Sequence, residues 1–260
     1  MKTQEIAVVK IGGNVIEDPA ALEGFLDAFS KMEGPKILVH GGGKLATSLA
    51  NKLGIPSTLI QGRRITDAQN LEVITMVYAG LANKNIVAQL QAKKCNAIGL
   101  SGVDANTILA HKRPVKEVDY GFVGDIDQAN PDAISCFIQG GFTPVFCAIT
   151  HDGKGQLLNT NADTIAAEIA IALSVTYDTC LFYCFEKNGV LKDINDPNSV
   201  IPDINTASYQ ELLDKKYIAD GMLPKMQNCF HALQRNVSKV CIGNTDMLDP
   251  KTNLYTTIRL

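Results

Sequence analysis

What most constrains this chain is an alternation: short apolar runs rich in β-branched residues, each followed by a stretch with helical spacing. Parallel strands need a crossover between neighbours, and helices supply it on both faces of the sheet, so this alternation describes a layered α/β protein. Residues 5–10 (EIAVVK) read as a first strand and end in Ile11-Gly12-Gly13. Asp18 and Pro19 read as the N-cap and first residue of a helix that turns Leu22, Phe25, Phe29 and Met32 to one side and stops at Gly34. Ile37–His40 reads as a second strand running into Gly41-Gly42-Gly43-Lys44, and Leu45, Leu49 and Leu53 then mark a helix closed by Gly54 and Pro56.

Thr66-Asp67-Ala68-Gln69 reads as a capping box that opens a long helix carrying Leu71, Ile74, Val77 and Leu81. From Asn96 to Asp127 the pattern turns hairpin-rich; a short helix over 131–139 and a strand over 143–149 follow. Asn159–Asp163 opens a helix with Ile165, Ile169 and Leu173 on one face. The last third holds a strand over 178–184, an irregular polar stretch over 186–202, helices over 208–215 and 224–235, and a strand over 239–242. The expected fold is a three-layer αβα sandwich around a central, mostly parallel sheet. Its softest division falls near 173–178, giving an N-terminal lobe over 1–174 and a C-terminal lobe over 175–260.

Composition narrows the partners. A net charge of −3 without long runs of either sign offers no nucleic-acid or membrane surface, so an anionic ligand must be met by locally placed cations and amides. No apolar run approaches the ~18 residues of a membrane span. Seven scattered cysteines, an odd number without a C-x-x-C pair, suit buried thiols in a reducing compartment better than disulfides or a zinc site. The apolar strand begins after four residues, with no signal peptide before it, and the expected location is the cytoplasm. The four histidines, spread along the chain, lack metal-ligand spacing; His40, beside the glycine loop, could help shape it.

Two of the strands end in glycines: Gly12 and Gly13 after Lys10, and Gly41, Gly42 and Gly43 after His40. A glycine loop opening onto a helix N-terminus aims several N–H groups at one spot and favours phosphate or carboxylate there. One such loop can be a mere tight turn; two on neighbouring strands make a paired anion site. No stretch fits the Walker spacing. Gly41-Gly42-Gly43-Lys44-Leu45-Ala46 fits a loose dinucleotide fingerprint, but no Asp or Glu lies between Lys44 and Thr66 to hold a ribose.

Four charged residues then stand out. Lys10 closes a buried strand, where a cation is costly to desolvate unless an anion meets it, although it could also snorkel out at the strand edge. Lys225 lies at a helix start, an end that disfavours cations; a bound anion would explain it, and so would a solvated position. Asp163 follows Asn159 and Asn161 into a first helical turn, more polar side chains than one cap requires. Arg64 could hold a carboxylate bidentately.

With these residues in place the chain resembles the amino-acid kinase superfamily, and within it the acylglutamate kinases. The likeness rests on Val9-Lys10-Ile11-Gly12-Gly13, His40-Gly41-Gly42-Gly43, Gly62-Arg63-Arg64-Ile65-Thr66 and Gly99-Leu100-Ser101-Gly102. It continues through Gly121-Phe122-Val123-Gly124-Asp125, Asn159-Thr160-Asn161-Ala162-Asp163 and Gly221-Met222-Leu223-Pro224-Lys225. The resemblance implies transfer of the γ-phosphoryl of ATP to the side-chain carboxylate of N-acetyl-L-glutamate on the arginine route. Magnesium would be carried by the nucleotide, without a protein metal site. It implies that Lys10 and Lys225 stabilise the transferring group and that Asp163 holds both lysines. Gly12 and Gly13 would bind phosphate, and Gly42, Gly43, Arg64, Asn159 and Asn161 the acceptor. The N-terminal lobe would take the amino acid and the C-terminal lobe the nucleotide.

The departures from the family pattern carry expectations too. Arg63 stands where relatives usually have an apolar wall of the acyl pocket, so an N-succinyl acceptor is an alternative. The stretch 182–191 departs from the usual nucleotide loop. The first strand begins without room for the helix that arginine-inhibited relatives use to form hexamers, which suggests a homodimer insensitive to arginine. A catalytically silent ligand-binding regulator on the same fold is the competing class.

Overall fold

The computed structural model describes residues 4–60, 63–215, 217–218 and 222–260; Gly62 and Gly221 of the family-like motifs lie outside the described residues. From the N-terminus run β1 (Glu5–Ile11), α1 (Gly13–Glu17), α2 (Pro19–Lys31), β2 (Lys36–His40), α3 (Gly43–Lys52), β3 (Leu59–Ile60), β4 (Arg63–Arg64) and α4 (Ala68–Thr75). A π-helical segment (Met76–Ala82) links α4 to α5 (Asn83–Ala92), and β5 (Ala97–Leu100), β6 (Ile108–Lys112), β7 (Gly124–Ala129), α6 (Pro131–Gln139) and β8 (Thr143–Cys147) follow. The chain continues through β9 (Ile149–His151), β10 (Leu157–Asn159), α7 (Ala162–Leu173), β11 (Asp178–Cys184), β12 (Asp203–Ile204), α8 (Thr206–Asp214), α9 (Met222–Gln234), β13 (Lys239–Gly243) and β14 (Thr256–Ile258).

Eight strands form the central sheet in the order β12-β14-β13-β11-β1-β2-β8-β5. The pairs from β13 through β5 are all parallel, and β14 is antiparallel to β13. Strand β1 shows why three layers form. Ile6 and Val8 enter one apolar cluster while Ala7, Val9 and Ile11 enter another, as the two-residue period of a strand dictates. The first cluster is roofed by α3, α4, α6, α7 and α9, and the second by α2 and α5. The expected αβα sandwich is therefore present. Two smaller sheets, β10-β9-β6-β7 and β3-β4, stand apart from it. Among the described residues no helix is long and apolar enough to cross a membrane.

Several local expectations need correction. α3 buries Ala46 and Ala50 fully, Leu45 and Leu49 pack against the core as expected but only partly buried, and Leu53, the last of the leucine stripe, is 55% exposed. The N-cap of α4 is Asp67, whose side chain accepts from the Asn70 amide; Thr66 is bonded elsewhere. The π-helical turn adds a residue and rotates the apolar face, so Val77, Tyr78, Ala82, Ile86 and Leu90 are buried and Leu81 is 55% exposed. The strand expected over 143–149 breaks at Ala148 and sends β9 to the second sheet. Helix α1 and strand β14 had no readable signal: the first is five residues long and the second three.

Candidate active site

Lys10 is an even-numbered residue of β1, so it leaves the sheet on the side of Ile6 and Val8, towards α7 and α9. Asp163 waits there in the first turn of α7, and Lys225 in the first turn of α9. The Lys10 ammonium lies 2.7 Å from Asp163 Oδ1, and Lys225 donates to Oδ2 at 2.9 Å. The Lys10 contact, like that of Lys225, is a close charge-assisted pair, so each lysine holds one oxygen of the acid. Lys225 Nζ also sits 4.9 Å from the centre of the Tyr183 ring, whose hydroxyl donates to the Asp163 carbonyl at 3.0 Å.

These side chains keep only 13%, 19% and 13% of their surface, for Lys10, Asp163 and Lys225. Burial pushes the Asp163 carboxyl up, but the two ammonium groups outweigh it and hold the acid far below the usual carboxylate range. Burial pushes Lys10 down and the neighbouring Lys225 adds to that, against the pull of Asp163. Two cations on one anion leave a unit of positive charge in a sheltered place, which a phosphate would neutralise.

The glycine loops lie at the carboxyl ends of β1 and β2, beside this triad. The expectation for Gly12 is only partly met: its amide donates to the Cys184 carbonyl at 2.9 Å, continuing the β1–β11 ladder, and is not free for a ligand. The N–H groups of Gly13, Gly42 and Gly43 find no partner among the described residues, since Gly13 and Gly43 open α1 and α3. Gly42 has φ +155°, and a methyl group there would press on the Tyr78 ring at 3.0 Å, so glycine is required.

Arg64 is 8% exposed, yet it forms no ion pair among the described residues. Its Nη1 donates to Ser57 Oγ (2.7 Å), and its Nη2 to the Gly43 carbonyl (2.8 Å) and Thr47 Oγ1 (2.6 Å). A buried guanidinium with only neutral acceptors lacks its counter-ion, which a ligand carboxylate would provide. Asn159 Nδ2 donates to Thr66 Oγ1 at 3.0 Å, and the Asn159 amide to the Phe122 carbonyl at 2.9 Å. Thr66 and Phe122 are themselves joined backbone to backbone at 2.7 Å, so three separated motifs form one wall. Asn161 also has a structural role: its side-chain oxygen accepts from the amides of Asp163 and Thr164, which makes it the N-cap of α7 and leaves its NH2 group uncommitted to the cap. Arg63 is exposed and, one residue along β4 from Arg64, faces the other way.

His40 is fully buried at the end of β2. Its Nδ1 meets the Gly41 carbonyl at 2.8 Å, and a carbonyl only accepts, so Nδ1 carries the proton and Nε2 accepts from Asn83 Nδ2 at 3.0 Å. Asn83 also donates to the Val145 carbonyl at 2.9 Å, so the glycine loop is tied to β8 through one imidazole. Burial pushes the His40 pKa down from 6.5 to about 4. The unfolded chain therefore takes up this proton first, and stability is lost as pH falls from about 6.5 to about 4, by up to about 3 kcal/mol from this group. Chemical denaturation across that range should show the stability gap between the native protein and His40→Gln shrinking as pH falls; a constant gap would rule the assignment out.

Sequence reasoning missed Ser57, Thr47, Asn83, Tyr183 and Tyr78. Thr47 follows Gly43 by one helical turn, a usable signal; the others meet the site through tertiary packing, which leaves no local mark.

A parallel α/β sheet that brings free glycine amides, a lysine pair on one aspartate and an uncompensated arginine to the same edge defines a protein built to hold two oxyanions together. Residues 5–244 match the amino acid kinase family, and the chain belongs to it. It is 54% identical over 239 residues to an acetylglutamate kinase of Bacteroides fragilis, with 92% of each chain covered. To the acetylglutamate kinase of Cytophaga hutchinsonii it is 50% identical, covering 94% of this chain and 93% of the relative. A crystal structure from Streptococcus mutans superimposes with a TM-score of 0.77 at 26% identity over 98% of both chains.

Proposed function

We propose that this chain transfers the γ-phosphoryl group of ATP to the side-chain carboxylate of N-acetyl-L-glutamate, the step its relatives' names give, within arginine biosynthesis. The observation that carries this reading is the shared acid: two lysines from opposite ends of the chain meet Asp163 at 2.7 and 2.9 Å, next to unpaired glycine amides. The acceptor carboxylate is ionised at neutral pH, so the reaction needs no general base; it needs two anions brought together and their charge neutralised. In this reading the amides of Gly42 and Gly43 hold the attacking carboxylate and that of Gly13 a phosphoryl oxygen. Lys10 and Lys225 spread over the transferring group, and Asp163 keeps them apart and in place. Arg64 takes the acceptor's α-carboxylate, and Asn159 its acylamide.

Magnesium enters with ATP, bound by the phosphates. Asp163 is committed to the two lysines and is not a ligand for it. The acceptor lies over residues 1–174 and the nucleotide over 175–260. A polar hollow lined by Asn188, Asn244, Asp246 and Thr252, beyond the end of β13, supports this placement of the nucleoside. A cytoplasmic homodimer completes the reading, and light scattering reads the copy number. Exposed Arg63, turned away from Arg64, gives no support to a succinyl pocket.

A coupled ADP-release assay tests the whole. Rapid ADP formation should depend on N-acetyl-L-glutamate and magnesium, with kcat/KM for N-acetyl at least equal to that for N-succinyl-L-glutamate. No ADP release with either acceptor would turn the reading into the silent regulator.

A further inference from the structure

Tyr78 belongs to none of the motifs that mark the family, and it is not part of the lysine–aspartate cluster. Its side chain is only 6% exposed and sits in the π-helical segment between α4 and α5. The wide turn is what brings it to the site: one added residue rotates Tyr78 onto the buried face, over the loop that ends β2. The ring covers Gly42 so closely that a methyl group there would lie 3.0 Å from Cδ1 and 3.1 Å from Cε1. The phenol oxygen lies beyond, 3.7 Å from where a Gly43 methyl group would be, at the N-terminus of α3. Arg64 reaches the same place, with Nη2 on the Gly43 carbonyl.

Two features of the hydroxyl are unexplained by packing. Another deeply buried tyrosine, Tyr183, donates to a backbone carbonyl at 3.0 Å, as buried phenols usually do. Tyr78 has no partner among the described residues, and its oxygen is not sealed off like the orphaned polar atoms of the interior. It therefore keeps some accessible surface, beside Gly43, whose carbonyl Arg64 also reaches and whose amide has no partner among the described residues. Burial raises its pKa, with Arg64 opposing, so the group is a protonated donor at neutral pH. An O–H donor, a free N–H and a guanidinium without a counter-ion, gathered at the N-terminus of α3, have one chemistry in common, that of a carboxylate.

Building on the acceptor reading above, we propose that the Tyr78 hydroxyl donates a hydrogen bond to a carboxylate of the acceptor held over the N-terminus of α3, making Tyr78 a substrate-binding residue. A hydrophobic residue here would cover Gly42 equally well but leave that carboxylate one donor short.

Tyr78→Phe separates the two roles, because it keeps the ring on Gly42 and removes only the hydroxyl. Titration calorimetry of the whole protein with N-acetyl-L-glutamate alone should show affinity lowered about tenfold or more, as for a lost hydrogen bond to a charged group. ATP affinity and Tm should be unchanged, and the acceptor KM in turnover should rise in parallel. Unchanged acceptor affinity in Tyr78→Phe would overturn the proposal and leave the kinase reading standing. A joint loss of acceptor affinity, ATP affinity and Tm would assign the hydroxyl to the fold and overturn it too. If the native protein neither binds nor phosphorylates the acylglutamate, the acceptor reading itself fails, and this inference with it.

Discussion

Asp163→Asn should lower kcat by about 10²- to 10³-fold and cost the protein several degrees of Tm. The substitution is nearly isosteric, so packing around α7 is little disturbed, but one of the two acceptor oxygens becomes an NH2 donor facing an ammonium. What it removes is the charge that two ammonium groups share at 2.7 and 2.9 Å. Breaking a buried pair from one side costs about 3–5 kcal/mol, and the residual 13–19% exposure of these groups places the effect towards the lower end. For a chain of this size each kcal/mol shifts Tm by roughly 2–4 °C. The lysines then repel without a mediator, and either moves outward or loses its proton; both outcomes spoil the phosphoryl site. An added anion should compensate in part, so ATP should raise the Tm of the variant more than that of the native protein. Thermal melts with and without ATP, together with the coupled assay, check this; native-like kcat and Tm would refute the role given to Asp163.

The layered architecture could be read from the chain because each strand and helix announces itself locally. β11 is recovered at its observed ends and α6 likewise, where a Pro-led helix and an apolar run leave little freedom. The errors cluster where the signal is tertiary. In α3 the alanines are deepest, Leu45 and Leu49 only line the edge of the core and Leu53 is outside, because close approach of helices is a property of the neighbours as well as of the helix. The π-helical turn has no distinct sequence pattern, and an unbroken 3.6-residue phase put Leu81 inside and left Tyr78 unnoticed.

At the site, the charged residues were legible from their chemistry: a lysine ending a buried strand, an arginine able to grip a carboxylate, an aspartate among asparagines. Their distances were not. That Lys10 and Lys225 reach one carboxylate depends on β1 lying between β11 and β2, which puts α7 and α9 on the same face. The hydrogen bond from Gly12 to Cys184 likewise follows from the assembled sheet and could not be seen along the chain, whereas the cap made by Asn161 was one of the readings its local sequence allowed.

Lys10→Met and Lys225→Met should each lower the rate of phosphoryl transfer by about 10²- to 10³-fold, the scale on which single donors to a developing oxyanion act. Methionine retains length and apolar contact, and the costly desolvation of an ammonium disappears with it. Asp163 keeps one cation in either variant, so its carboxylate stays ionised and the fold remains intact. Ground-state binding of ATP draws on many contacts and should weaken far less than the transfer rate.

Single-turnover transfer, with enzyme in excess over ATP and the acceptor saturating, measures the chemical step apart from binding and product release. If two ammonium groups act on the same phosphoryl, each methionine variant is slowed by about 100-fold or more at unchanged Tm. Transfer at the native rate in either variant would contradict the paired-lysine mechanism.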